Sequence, residues 1–208
     1  ALWEMGIRSL RVPLQDLADA RVRARMCLLR RLGHRYTAYV FGLPSGELAS
    51  ALHEHAALLD ALELVAPMDR APSLLPDLAK LRSALGIRVW LSKVRRHEDA
   101  KYDGSHYNHF INHGFVPAEH EQLGQLLGLP EARAAIDGFV GRVARGHCAW
   151  SELGQWQQLA ERFDAERNAL RKFALEASRV GEGYVAAVCR AKSMGDLGAH
   201  CQGQLIAK

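Results

Sequence analysis

An α/β fold of the (β/α)8 TIM-barrel type is what this sequence predicts, on three observations. Short apolar runs alternate with longer amphipathic stretches. The unit strand, loop, helix, glycine, strand recurs about every 25 to 28 residues through the first half of the chain. Seven strand candidates follow a segment, residues 1–6, that reads as the end of a helix stopped by Gly6. One missing strand–helix unit before it completes the eight of a barrel. The expectation is one barrel-like domain over residues 1–208 with its first unit absent, part of a longer polypeptide with a further domain N-terminal to it.

The elements follow in order. Residues 9–14 form the first strand, with Pro13 near its end. Residues 17–32, rich in Ala, Leu and Arg, form a helix that stops at Gly33, since glycine takes the left-handed position after a helix at no steric cost. Residues 36–41 (Tyr-Thr-Ala-Tyr-Val-Phe) have strong β propensity, and Gly42, Pro44 and Gly46 turn the chain into a helix over 47–62. Residues 64–68 give a third strand, 75–85 a helix stopped by Gly86, and 87–94 a fourth strand. The second half is less regular. Residues 95–107 read as a polar loop and 110–115 as a short strand. Helices over 118–127 and 130–136 are split by Gly128, a sixth strand spans 138–144, a long broken helix 151–178, and a seventh strand 184–191. Parallel strands need a crossover, yet there is little room for a helix between Val94 and Phe110. The alternative fold is an open doubly wound parallel sheet. It is weaker because neither Gly-x-Gly-x-x-Gly nor a P-loop follows the first strand.

The totals narrow the function. The chain is 49% hydrophobic and 24% charged, which is ordinary for a globular domain with a sizeable core. Its net charge of +4 comes from 27 basic and 23 acidic residues, and the basic clusters are short: Arg21, Arg23 and Arg25, then Arg30 and Arg31, then Arg95 and Arg96. The first two groups fall on a helix, where arginines are solvated, and nucleic acid is not the expected partner. No run of about 18 apolar residues is present, so no membrane span is expected. The four cysteines, Cys27, Cys148, Cys189 and Cys201, are widely spaced without a C-x-x-C pair, which fits reduced thiols in the cytoplasm.

In a barrel, function sits at the carboxyl ends of the strands. Arg11, Lys93, Arg142 and Arg190 lie within otherwise apolar strands. A charge in a buried strand is costly unless it is paired or functional, and an arginine fork matches carboxylate or phosphate oxygens. These residues, with Asn112, are the expected anion-binding set. The bland alternative pairs the arginines with Asp16, Asp69 or Asp137. The segment 101–114 carries His106, His109 and His113; imidazoles transfer protons near neutral pH and ligate metals. His-x2-His-x3-His is not an established zinc pattern, and His-Glu-x-x-His is absent. Lys93 serves as a Schiff-base amine, a fixed charge for an anion, or a lysine whose stem lies on the surface. Cys148 beside His147 reads as an inert thiol, and Trp150 and Trp156 as residues packing a helix on the sheet. Matched glycosidase carboxylates and the Gly-x-Ser-x-Gly elbow are missing.

The expectation is an enzyme of lyase or isomerase type, acting on a small phosphorylated or carboxylated metabolite. His109, His113 and Lys93 are its candidate catalytic residues, Arg11, Arg142, Arg190 and Asn112 hold the anion, and a divalent metal is an optional cofactor at the histidines. The alternative is a non-catalytic barrel-like domain for ligand binding or assembly within a larger protein. Convergence of these side chains in one cleft separates the two.

Overall fold

The computed structural model describes residues 6–94, 113–142, 149–167, 174–177 and 187–189, with side chains for 6–94, 113–142 and 150–161. Seven strands lie in chain order across one sheet: β1 (Ser9–Pro13), β2 (Arg35–Phe41), β3 (Ala61–Ala66), β4 (Arg88–Lys93), β5 (Gly138–Arg142), β6 (Ala174–Ala177) and β7 (Ala187–Cys189). β1 to β5 are parallel throughout and curl into a half-barrel. β6 continues parallel to β5, and β7 is antiparallel to β6. The sheet is an open α/β sheet, as in the alternative, but its strand order follows chain order without the reversal point of a doubly wound fold.

The helices are α1 (Gln15–Ala18), α2 (Ala20–Arg31), α3 (Gly46–His55), α4 (Ala71–Leu85), α5 (His120–Gly128), α6 (Pro130–Ala135) and α7 (Ala149–Arg167). Alternation along the strands sorts the side chains onto two faces. Leu10, Val12, Tyr36, Ala38, Val40, Leu62, Leu64, Val89, Leu91 and Phe139 join the main core with Leu17, Met26, Leu52, Leu75, Leu78 and Leu126 of the helices. Ala61, Trp90 and Val140 form a separate apolar group on the other, concave face.

A repeated device pins the helices to the starts of the strands. Asp60, just before β3, accepts the Tyr36 N–H at 3.2 Å and pairs with Arg30 of α2. Asp137, just before β5, accepts the Val89 N–H at 2.9 Å and receives a two-pronged donation from Arg82 of α4, at 2.8 and 2.6 Å. Each aspartate thus satisfies a backbone donor of the preceding strand and neutralises an arginine of the helix that leads to it. Asp137 is therefore a partner for a helix arginine and not for one within a strand.

Several sequence expectations need correction. The helix expected over 17–32 is two, because Asp19 is extended (φ −77°, ψ 113°) and its carboxylate accepts the N–H groups of Arg21 and Val22 at 2.7 and 3.1 Å. That is an N-cap inside the first turn of the expected helix. The helix expected over 47–62 ends at His55, and β3 begins three residues earlier than expected, at Ala61. The strand expected over 110–115 is no regular strand among its described residues; His113 and Phe115 make only isolated bridges, to Val94 and Gly141. β4 instead pairs directly with β5 through Trp90↔Gly138 and Leu91↔Phe139. The crossover between them is α5 and α6, which removes the difficulty of fitting a helix before Phe110. Residues 174–177, placed in a helix from sequence, are strand β6. The antiparallel β7 departs from an all-parallel (β/α)8 pattern. The coarse reading, α/β with a parallel sheet, stands.

Candidate functional site

The concave face carries a buried polar cluster. Arg11 on β1 donates from Nε to Glu63 Oε2 at 2.6 Å and from Nη2 to Glu63 Oε1 at 2.7 Å. This is a bidentate fork on a carboxylate from β3, two strands away, with side chains only 4% and 0% exposed. His113 joins them: its Nδ1 lies 3.0 Å from Glu63 Oε1, and its Nε2 lies 2.8 Å from Arg11 Nη2, which also contacts Nδ1. An ionised carboxylate only accepts and a guanidinium only donates. The Glu63 contact places the proton on Nδ1 and the lone pair on Nε2, although Arg11 Nη2 stands closer to Nδ1 than to Nε2. Ser92 on β4 reaches the same Nδ1 at 3.4 Å.

Electrostatics agree with that assignment. Burial alone raises the Glu63 carboxyl, but the Arg11 charge and the His113 hydrogen bond outweigh it and hold the pKa at about 2. The imidazole of His113 is lowered from its ordinary value by burial, and by the nearby charges of Arg11 and Arg142, against the opposing pull of Glu63. At neutral pH the triad is an arginine cation, a carboxylate and a neutral histidine.

Aromatic rings frame this triad. The Arg11 guanidinium carbon stands 5.0 Å from the centroid of the Tyr39 ring. Tyr39 and Phe41, alternate residues of β2, approach the His113 ring at 5.1 and 5.5 Å between centroids. Phe41 ends its strand and is half exposed.

The backbone after residue 112 explains how His113 reaches the sheet. The Gly114 N–H donates to Lys93 O at 2.8 Å, Phe115 N–H to Val140 O at 2.9 Å, and Arg142 N–H to Phe115 O at 2.7 Å. The segment is thereby wedged between the carboxyl ends of β4 and β5. Gly114 has φ +121°, and a Cβ there would lie 3.2 Å from Arg142 Cβ and Cγ, so a glycine is needed. Arg142 is itself buried, and its carbonyl accepts the Trp156 indole N–H at 3.0 Å. Trp156 packs on Phe139 and covers Gly141, the packing role expected of it.

The structure thus brings together three of the expected residues, Arg11, His113 and Arg142. Lys93 is not among them. It follows Ser92 on β4, turns to the opposite face, and donates from Nζ to Glu119 Oε1 at 2.9 Å. The other oxygen of Glu119 accepts the Val116 N–H at 2.9 Å. Lys93 therefore holds the 113–119 segment by its carbonyl and its ammonium together. His109, Asn112 and Arg190 lie outside the described residues, as do His106 and Cys148. Among the described residues no group of three His, Cys, Asp or Glu is placed to hold a metal ion. No helix among them is long and apolar enough to cross a membrane.

Sequence reading missed Glu63 and Tyr39. Glu63 is the single charge in the apolar run Ala61–Ala66, the same signal that singled out Arg11, but it was hidden by placing the strand at 64–68. No family model, curated protein or solved structure matches the chain.

Proposed function

We propose that the concave face is a site for proton transfer on a small carboxylated or phosphorylated metabolite, of lyase or isomerase type. The observation that carries this reading is the joined triad Arg11–Glu63–His113 on the concave face of the sheet. A neutral histidine whose Nδ1–H is held by a buried carboxylate is a general base at Nε2. Glu63 also stabilises the imidazolium that forms when Nε2 takes a proton. Arg11 Nη2 lies 2.8 Å from Nε2 and closer still to Nδ1, so the guanidinium covers the nitrogen edge of the ring and masks the base. An entering anion accepts that N–H, draws the guanidinium toward itself, and frees the lone pair. Arg142 adds a second positive charge beside the base.

Two features support a closed barrel as the finer fold. Strand order follows chain order, and β7 approaches β1 to within 8 Å between Cα atoms. Widely spaced cysteines fit a cytoplasmic setting. The second reading, a non-catalytic domain of a larger protein, is favoured by one observation: Glu63 already neutralises Arg11.

The test is deuterium exchange. The protein is incubated in D2O with small carboxylic acids, oxo-acids and sugar phosphates, and 1H NMR follows exchange at carbons next to a carbonyl. Exchange that disappears in His113→Asn supports the proposal. Anions that raise the melting temperature but never exchange favour the binding domain. Neither exchange nor a shift refutes both readings.

A further inference from the structure

Phe41 is the exposed aromatic of this site. Among the described residues few large apolar side chains are exposed, and Phe41, at 49%, is on the sheet and not on a helix. It closes β2 at the carboxyl end and shares a face with Tyr39. Its ring stands edge-on to Tyr39 (6.1 Å, 90°) and to His113 (5.5 Å, 65°). Phe41 is therefore half exposed while its ring also packs against the proposed base. Gly42 follows with φ +71° and turns the chain away, so no side chain of β2 continues over the ring.

From this we infer that the ligand is an anion attached to a planar or apolar body, and that Phe41 is a specificity-determining residue that packs on this body. The inference rests on the proton-transfer reading of the concave face and extends it to substrate class. A compact polar metabolite leaves the open half of Phe41 wet; an aryl or apolar carboxylate or phosphate covers it. Cation and aromatic surface then act on different parts of one molecule, the cations beside His113 on the anion and Phe41 on the tail. Such division of labour is usual in small-molecule sites, where a few polar groups orient a ligand whose contact area is mainly apolar. An offset or edge-on aromatic contact favours the aryl ligand by about tenfold at most.

Matched probes test it. Binding of inorganic phosphate and phenyl phosphate is measured by calorimetry on the wild type, Phe41→Ala, Phe41→Tyr and Arg142→Ala. The expected result is phenyl phosphate bound about five- to tenfold tighter than inorganic phosphate by the wild type. Phe41→Ala erases that preference, leaves inorganic phosphate unchanged, and Phe41→Tyr restores it. Equal affinities in the wild type, or a preference that survives Phe41→Ala, overturn the inference. If phosphate still binds in an Arg142-dependent way, the anion site survives that failure. No binding of either probe removes both.

Discussion

Replacing Glu63 by glutamine leaves the shape of the cluster nearly unchanged and removes the charge that Arg11 and His113 are arranged around. Two routes give the cost. Breaking a buried ion pair while leaving one partner in place typically costs about 3 to 5 kcal/mol, and the Arg11 side chain is only 4% exposed. The same contacts hold the Glu63 carboxyl at about 2 in the folded protein against an ordinary 4.5. That interval corresponds to about 3 kcal/mol at 1.36 kcal/mol per pH unit. Both place the loss near 3 kcal/mol at pH 7, which lowers the melting temperature by about 6 to 12 °C for a chain of this size. The sign with pH follows. A carboxyl depressed by folding stabilises above its unfolded pKa, and the stabilisation is lost as pH falls from 4.5 toward about 2. Urea unfolding of wild type and Glu63→Gln at pH 7, 4 and 3 should show a gap near 3 kcal/mol that more than halves by pH 3. A loss under about 1 kcal/mol at pH 7, or a gap as wide at pH 3 as at pH 7, refutes the reasoning.

Three further outcomes follow from the same geometry. Gly114→Ala forces a Cβ at φ +121° against Arg142, 3.2 Å away, and should cost about 1 to 3 kcal/mol in thermal melts. Gly141→Ala places a Cβ 2.7 Å from Trp156 Cε2, so the indole must shift; the expected loss is about 1 to 3 kcal/mol, with a changed tryptophan emission spectrum. Lys93→Gln breaks the buried pair with Glu119 and should cost about 3 kcal/mol in urea unfolding. Because Lys93 faces away from the triad and its carbonyl still holds the Gly114 N–H beside His113, the Kd for inorganic phosphate in calorimetry should stay unchanged in that variant.

Acid also acts through His113. Folding lowers its pKa, so the folded state favours the neutral ring. The stability it contributes is complete above its unfolded value, near 6.5, and is lost as pH falls below that toward its lower folded value. Its effect therefore begins at a milder pH than that of Glu63, and the two add in the same direction.

The first half of the fold was legible because its signals are local. Gly33 and Gly86 mark helix ends, and residues 36–41 and 87–94 are β-rich runs between turn residues. What was not legible depends on tertiary pairing. A residue such as Asp19 caps a helix only if the chain is extended there. Residues 174–177 (Ala-Leu-Glu-Ala) are good helix formers and lie in a strand because β5 offers an edge to pair with. In the site, Arg11 and Arg142 were found by the cost of a charge in an apolar strand. Lys93 met the same criterion yet faces the helices, because one position along a strand reverses the face. Glu63 escaped through a boundary error of three residues, the least reliable feature of any sequence reading.

The account depends most on His113 being a neutral base masked by Arg11, which 15N NMR of labelled histidine measures directly, with His113→Asn assigning the signal among the ten histidines. The predicted result at pH 7 is a neutral ring with its proton on Nδ1, and an Nε2 resonance that moves when phosphate is added, as Arg11 turns to the anion. A charged imidazole at pH 7, or an Nε2 signal indifferent to saturating phosphate, contradicts it.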